Sequence, residues 1–180
     1  MVTKIANLLE KYGAIEYGEF VLASGARSTY YLDIKKVVTQ PDALREIGEA
    51  IATGYTFEMV AGVAVGGVPL AVAVSLASGK PYAIIRSQEK DHGKSGKIIG
   101  DVVGRHILLV EDVTTSGGSA LFGVMALRDA GACIDTVVTV VDREAGAETL
   151  LNQSGIALKA LVKASDLIRG QQKKGTKGRN

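Results

Sequence analysis

The chain is expected to fold as an α/β domain. A central, mostly parallel β-sheet carries helices on both faces, and a small N-terminal unit of one helix and one β-hairpin precedes it. Three observations predict this. From about residue 58 onward, short apolar runs alternate with helical stretches at the spacing of repeated strand–loop–helix units. Glycine-rich or charged residues (Gly66-Gly67, Arg86, Glu111-Asp112, Asp142-Arg143) follow run after run, where sheets of this kind bind ligands. The stretch Ile107-Leu108-Leu109-Val110-Glu111-Asp112-Val113-Thr114-Thr115-Ser116-Gly117-Gly118-Ser119 sets four apolar residues before two carboxylates and a run of small hydroxyl and glycine residues. That reads as a strand buried on both faces, turning into a helix near Gly118 or Ser119.

The elements follow in order. Ile5, Leu8 and Leu9 have helical spacing within 3–12, and Gly13 stops the helix. From Phe20 to Asp33, two β-prone runs flank Ser24-Gly25-Ala26-Arg27-Ser28, a hairpin pattern. A helix follows Pro41, with Leu44, Ile47 and Ile51 on one face. Met59 to Val63 is a strand, and Val68 to Ser78 is a helix ended by Gly79. Tyr82 to Arg86 and Thr136 to Val141 are further strands, a helix covers about 144–153, and a last strand lies near 157–162. Residues 87–104 form a long polar loop rich in Gly and Lys, a length that compact domains reserve for functional lids or disorder. Residues 1–168 are read as one domain, with a hood over 1–40 and a core over 41–168. Residues 169–180 are a basic tail expected to be disordered.

The 107–119 stretch has a chemical use. Glycines allow close backbone approach to a phosphate, and N–H groups at a helix start favour an anion. Thr114, Thr115, Ser116 and Ser119 add hydroxyl donors. Adjacent carboxylates before such a nest call for a partner between them and the phosphate, either a ribose diol or a Mg²⁺ ion bridging to phosphates. Glu111 and Asp112 are therefore placed on the sugar side and 114–119 on the phosphate of a sugar phosphate.

Composition bounds the remaining classes. The 180 residues suit one core, with 47 % hydrophobic residues, 22 glycines and no tryptophan. A net charge of +2 gives no argument for bulk binding to nucleic acid. The single cysteine, Cys133, excludes an internal disulfide and fits a reducing compartment; lying between a helix end and a strand, it is read as packing. The start lacks a signal-peptide pattern, and no run reaches the ~18 apolar residues of a membrane span. A cytoplasmic protein is expected, without nucleic-acid or membrane partners.

The 107–119 stretch resembles the 5-phosphoribosyl 1-pyrophosphate (PRPP) signature of type I phosphoribosyltransferases. Further stretches resemble orotate phosphoribosyltransferases over nearly the whole chain. Phe20 to Asp33 is similar to that family's hairpin motif, and Gly62 to Ala71 to its pyrophosphate-side loop and following helix. Arg86 to Gly93 resembles its flexible catalytic loop, and Asp142-Arg143-Glu144 the segment that carries the orotate-contacting arginine. The resemblance implies the type I phosphoribosyltransferase fold. It implies transfer of the phosphoribosyl group of PRPP to orotate, giving orotidine 5′-monophosphate and pyrophosphate in pyrimidine (UMP) synthesis.

The implied site follows residue by residue. Lys90, His92 and Asp112 are the catalytic candidates. PRPP is met by Arg86, Lys90, His92, Glu111, Asp112, Val113, Thr114, Thr115, Ser116, Gly117, Gly118 and Ser119, and orotate by Ser24, Gly25, Thr115 and Arg143. Mg²⁺ is the implied cofactor, bound mainly through PRPP, with no protein ligand assigned. The implied assembly is a homodimer in which the 87–99 loop acts in trans. The chain departs from the family at Ala23, Gly66 and Ser87, where many members carry lysine. Lys94 and Lys97 are candidate substitutes but read as solvated charges, and Lys35 and Lys36 have no assigned role. His106 is read as structural, and Tyr30 and Tyr31 as packing. The alternatives are transfer to another base, or a non-catalytic PRPP sensor.

Overall fold

The structure, a computed structural model, describes residues 2–21, 27–87 and 96–169. The N-terminal unit begins with helix α1 (Val2–Lys11), which buries Ile5 and Leu9. Strands β1 (Ile15–Val21) and β2 (Arg27–Leu32) pair antiparallel as a separate two-stranded sheet, with a register shift between Tyr17 and Phe20. A short helix, α2 (Ile34–Val38), follows at once. Asp33 caps it by accepting a hydrogen bond from Lys36 N at 3.0 Å. Ile34, Val37 and Val38 face the core, which leaves Lys35 and Lys36 on the outer side.

The core sheet is built from β3 (Met59–Val63), β4 (Tyr82–Ile85), β5 (Ile98–Ile99), β6 (His106–Thr114), β7 (Cys133–Asp142) and β8 (Ala157–Lys163). Its order is β5-β4-β3-β6-β7-β8, parallel throughout except β5, which runs antiparallel to β4. Helices α3 (Pro41–Gly54), α4 (Gly67–Ser78), α5 (Gly118–Asp129) and α6 (Ala147–Asn152) cover the faces. Proline opens α3, at the position where its missing N–H costs nothing. Residues 164–169 are also helical.

Strand β6 sits at the centre and explains the two cores. Leu108 and Val110 pack on one face with α1, α3 and α4, while Ile107 and Leu109 pack on the other with α5 and α6. Successive side chains of a strand point to opposite faces, so a strand covered on both sides must be apolar at every position. None of the described helices is long and apolar enough to cross a membrane.

Expectation and structure agree on the α/β class, the parallel sheet and the antiparallel hairpin. They differ in detail. The polar 87–104 segment contains β5, a two-residue strand at the sheet edge. Helix α2 was not expected, and β6 runs through both carboxylates to Thr114. Cys133 is not packed: it is exposed at the first residue of β7, because the alternation that turns Ile134 inward turns Cys133 and Asp135 outward. The residues of the expected tail from 170 onward lie outside the described residues.

Candidate active site

The site forms where β6 ends. Glu111 and Asp112 are both buried, at 4 % and 7 % exposure. Glu111 Oε1 accepts a hydrogen bond from Ser119 Oγ at 2.8 Å, which ties the strand end to the first turn of α5. Burial is the main cause that pushes the Glu111 carboxyl up to about 7, and the neighbouring Asp112 adds to it. The Ser119 bond works the other way, favouring the charged form.

Asp112 Oδ1 accepts from Val113 N at 2.9 Å. Oδ2 is buried and, among the described residues, accepts no hydrogen bond of good geometry. Its neighbour is the Lys35 ammonium, 3.0 Å away. The carboxylate holds the Lys35 pKa above the ordinary lysine value. The same carboxylate lies against the backbone of Gly66: a Cβ there would fall 2.6 Å from Asp112 Oδ1. The absence of lysine at Gly66 thus has a local reason, since any side chain would displace Asp112.

The loop after β6 turns at Gly117, whose φ of +85° suits glycine, and a Cβ there would lie 3.0 Å from Ala147 Cα. Helix α5 then starts at Gly118, as the spacing predicts. Thr114 does not offer its hydroxyl to the cleft. It is buried at the end of β6 and donates to Asp142 Oδ1 at 3.1 Å, because β6 and β7 remain paired up to these two residues. With Ser119 engaged by Glu111, the hydroxyls that this loop places on the cleft wall are those of Thr115 and Ser116.

The opposite wall is set by β7 and the hairpin. Arg143 follows β7, and its backbone N–H donates to Thr114 O at 2.9 Å. Its guanidinium lies 4.9 Å from the centroid of the Tyr30 ring and its Nη2 is 3.5 Å from Ser28 Oγ. Glu144, next in the chain, has a φ of +57°, an uncommon backbone conformation for this residue, and its N–H donates to Asp142 Oδ1 at 3.1 Å. Between hairpin and signature loop lies a cleft of about 560 Å³, with Tyr31, Lys35, Asp112, Thr115 and Arg143 on its wall. Tyr30 packs against the core and under Arg143; Tyr31 packs its ring against Phe20, 5.6 Å between centroids, and is also 43 % exposed on the cleft wall.

Other candidates fall elsewhere. Arg86 follows β4, and its N–H donates to Lys97 O at 2.7 Å, with Nη1 3.4 Å from Gly96 O. These bonds tie residue 86 to residues 96 and 97, on either side of the stretch that contains Lys90 and His92. Those two residues, with Ser24, Gly25, Ala23 and Lys94, lie outside the described residues. Lys97 turns to the ring of Phe122, 5.6 Å away. His106 pairs with Asp135 at 3.1 Å at the far end of β6, a structural role as expected. Lys36 reaches Glu16 at 3.4 Å. The residue that sequence reasoning missed is Lys35. Its one signal is the Asp33 cap that starts α2 and turns position 35 outward.

Comparison with known proteins agrees with this geometry. The phosphoribosyl transferase domain pattern matches residues 33–154. An orotate phosphoribosyltransferase of Methanoculleus marisnigri is 67 % identical over 170 residues, covering 94 % of this chain and 100 % of that one. The solved orotate phosphoribosyltransferase of Aeropyrum pernix has a TM-score of 0.83 at 31 % identity, covering 93 % of this chain and 98 % of that one. The Mycobacterium tuberculosis orotate phosphoribosyltransferase in complex with PRPP has a TM-score of 0.75 at 28 % identity, covering 92 % and 98 %. Similarity of this degree over almost all of both chains places the protein in the orotate phosphoribosyltransferase family.

Proposed function

We propose that the chain transfers the 5-phosphoribosyl group of PRPP to orotate, giving orotidine 5′-monophosphate and pyrophosphate in UMP synthesis. The observation that carries this reading is the shared cleft: the buried Glu111–Asp112 pair and the loop onto α5 form one wall, and Arg143 with the hairpin forms the other. In the reaction, N1 of orotate bonds to C1′ and gives up its proton, which the departing pyrophosphate or solvent takes. The C1′–O bond to the diphosphate breaks, and its electron pair leaves with pyrophosphate. Cationic character at C1′ favours nearby carboxylates, and Glu111 and Asp112 would meet the ribose hydroxyls. Thr115, Ser116 and the N–H groups from Gly117 to Ser119 would hold the 5-phosphate. Arg143 would clamp the orotate carboxylate with its planar fork, beside Ser24 and Gly25.

Lys90 and His92 would close over the departing diphosphate, where a histidine near neutral pKa can donate a proton or a hydrogen bond. Closure would exclude the water that competes for C1′. Mg²⁺ fits as an ion carried mainly by PRPP, since the donor set of two adjacent carboxylates beside a diphosphate is of the kind that suits this ion. It would supply charge neutralisation of the leaving group. The resemblance further supports a homodimer with Arg86, Lys90 and His92 acting on the partner's site, and the single cysteine supports a cytoplasmic setting.

Base choice is tested by comparing orotate with purine bases in one PRPP-dependent assay. Turnover confined to orotate is expected, and turnover of a purine instead would overturn the reading. Mixing inactive His92→Ala and Asp112→Asn chains tests action in trans. Partial recovery in verified hybrids is expected, and no recovery contradicts it.

A further inference from the structure

We propose that Lys35 is a substrate-binding residue: its ammonium, placed 3.0 Å from Asp112 Oδ2 at the edge of the cleft, takes the diphosphate of PRPP as a second partner. This rests on the PRPP reading above. Three features converge on the point. The Asp112 side chain is 10 % exposed while that of Lys35 is 66 % exposed, so a fixed buried anion is paired with a cation whose head remains in solvent. The root of Lys35 is held, because Ile34 on one side and Val37 and Val38 on the other anchor α2 in the core. The third feature is Gly66, whose lack of a side chain lets the Asp112 carboxylate stay where it meets Lys35.

Charge decides the direction of the effect. A diphosphate carries several negative charges at neutral pH, and it must settle beside two carboxylates. Among the described residues, the cleft wall carries two cationic side chains, Lys35 and Arg143. Arg143 is engaged on the hairpin by Tyr30 and Ser28. Lys97, a candidate replacement for the lysines missing at Ala23, Gly66 and Ser87, turns to Phe122 instead. Among the described residues of the cleft wall, Lys35 is the cation placed to stand between Asp112 and an incoming diphosphate, stabilising both. An ammonium has three N–H donors, enough to keep Asp112 and to add phosphate oxygens. Lys35 would thus bind substrate while remaining an ion-pair partner of Asp112.

The experiment measures PRPP affinity by calorimetry with Mg²⁺, inorganic pyrophosphate affinity, and steady-state KM for each substrate. Lys35→Met is expected to weaken PRPP and pyrophosphate ~10- to 100-fold, the range for a lost charge-assisted contact, with the KM for orotate changed less than about 2-fold. Lys35→Arg is expected to restore PRPP binding to within a few-fold. In an Asp112→Asn background, Lys35→Met should still weaken PRPP about 10-fold or more, since direct contact does not run through Asp112. PRPP binding unchanged or tighter in Lys35→Met, or no further loss in the Asp112→Asn background, overturns the proposal and leaves Lys35 a counter-ion only. Lys35→Gln serves if the methionine variant does not fold. Unaltered protein that binds no PRPP would sink the functional reading itself, and this inference with it. Unaltered protein that binds PRPP, with variants that bind equally well, sinks this inference alone.

Discussion

Ser119 donates its hydroxyl to Glu111 Oε1 at 2.8 Å, joining the first turn of α5 to a carboxylate whose burial pushes it from the usual 4.5 up to about 7. The folded chain therefore keeps a proton on Glu111 across a window where the unfolded chain has lost it. The folded state binds more protons there, so stability falls as pH rises from about 4.5 to about 7 and is flat above. The full effect is about 3 kcal/mol, since each pH unit of that window contributes about 1.36 kcal/mol. Glu111→Gln is expected to remove this slope. Urea unfolding of both proteins at pH 5 and pH 8 checks it: parallel pH profiles would contradict the assigned proton. Ser119→Ala is expected to push the carboxyl higher still, since its hydroxyl favours the charged form.

Gly66→Ala puts a methyl group against the Asp112 carboxylate, 2.6 Å from Oδ1 before any movement. The carboxylate must rotate away from its place beside Lys35. We expect a stability loss of about 1–3 kcal/mol, the range for overpacking. We also expect PRPP affinity to fall about 10-fold, as a disturbed charge-assisted contact would cause. Melting curves and calorimetry check both. PRPP binding equal to the unaltered protein would show that the position of Asp112 in the resting cleft does not matter.

Tyr30 lies under the Arg143 guanidinium at 4.9 Å. Tyr30→Leu keeps an apolar side chain but removes the ring face, a loss of ~0.5–2 kcal/mol or roughly 2- to 30-fold. The KM for orotate should rise by that factor while the KM for PRPP stays level. Equal movement of both constants would point to a general disturbance of the hairpin and against a role in holding Arg143.

Thr114→Val tests the buried bond that closes β6 on β7. Asp142 is 5 % exposed, and its Oδ1 accepts from Thr114 Oγ1 and from Glu144 N, each at 3.1 Å. Removing one donor from a buried carboxylate should cost about 1–3 kcal/mol. Urea unfolding measures it directly, and no loss would mean that Glu144 N alone satisfies the group.

Much of the core was legible because its strands carry short apolar runs bounded by glycine or charge. Met59–Val63 and the start of α5 at Gly118 fall where the pattern puts them. Helix α2 escaped notice because five residues are too few for a helical period, and three of them (Ile34, Val37, Val38) are β-branched. β5 has two residues and no alternation to read. Thr114 looked like a phosphate donor because it opens a hydroxyl-rich run, yet strand pairing to Asp142 continues through it. The Lys35–Asp112 pair joins α2 to the end of β6, residues far apart in the chain, a juxtaposition that no local spacing encodes. The segments around Ser24 and His92 lie outside the described residues, so their roles rest on the resemblance alone.

The most direct measurement is orotate consumption, followed by its ultraviolet absorbance, with orotate, PRPP and Mg²⁺ together and each omitted in turn. Signal loss is expected only when all three are present, and Asp112→Asn is expected to abolish it. No turnover by the unaltered protein while PRPP still binds in calorimetry, or full turnover in Asp112→Asn, would contradict the proposed function.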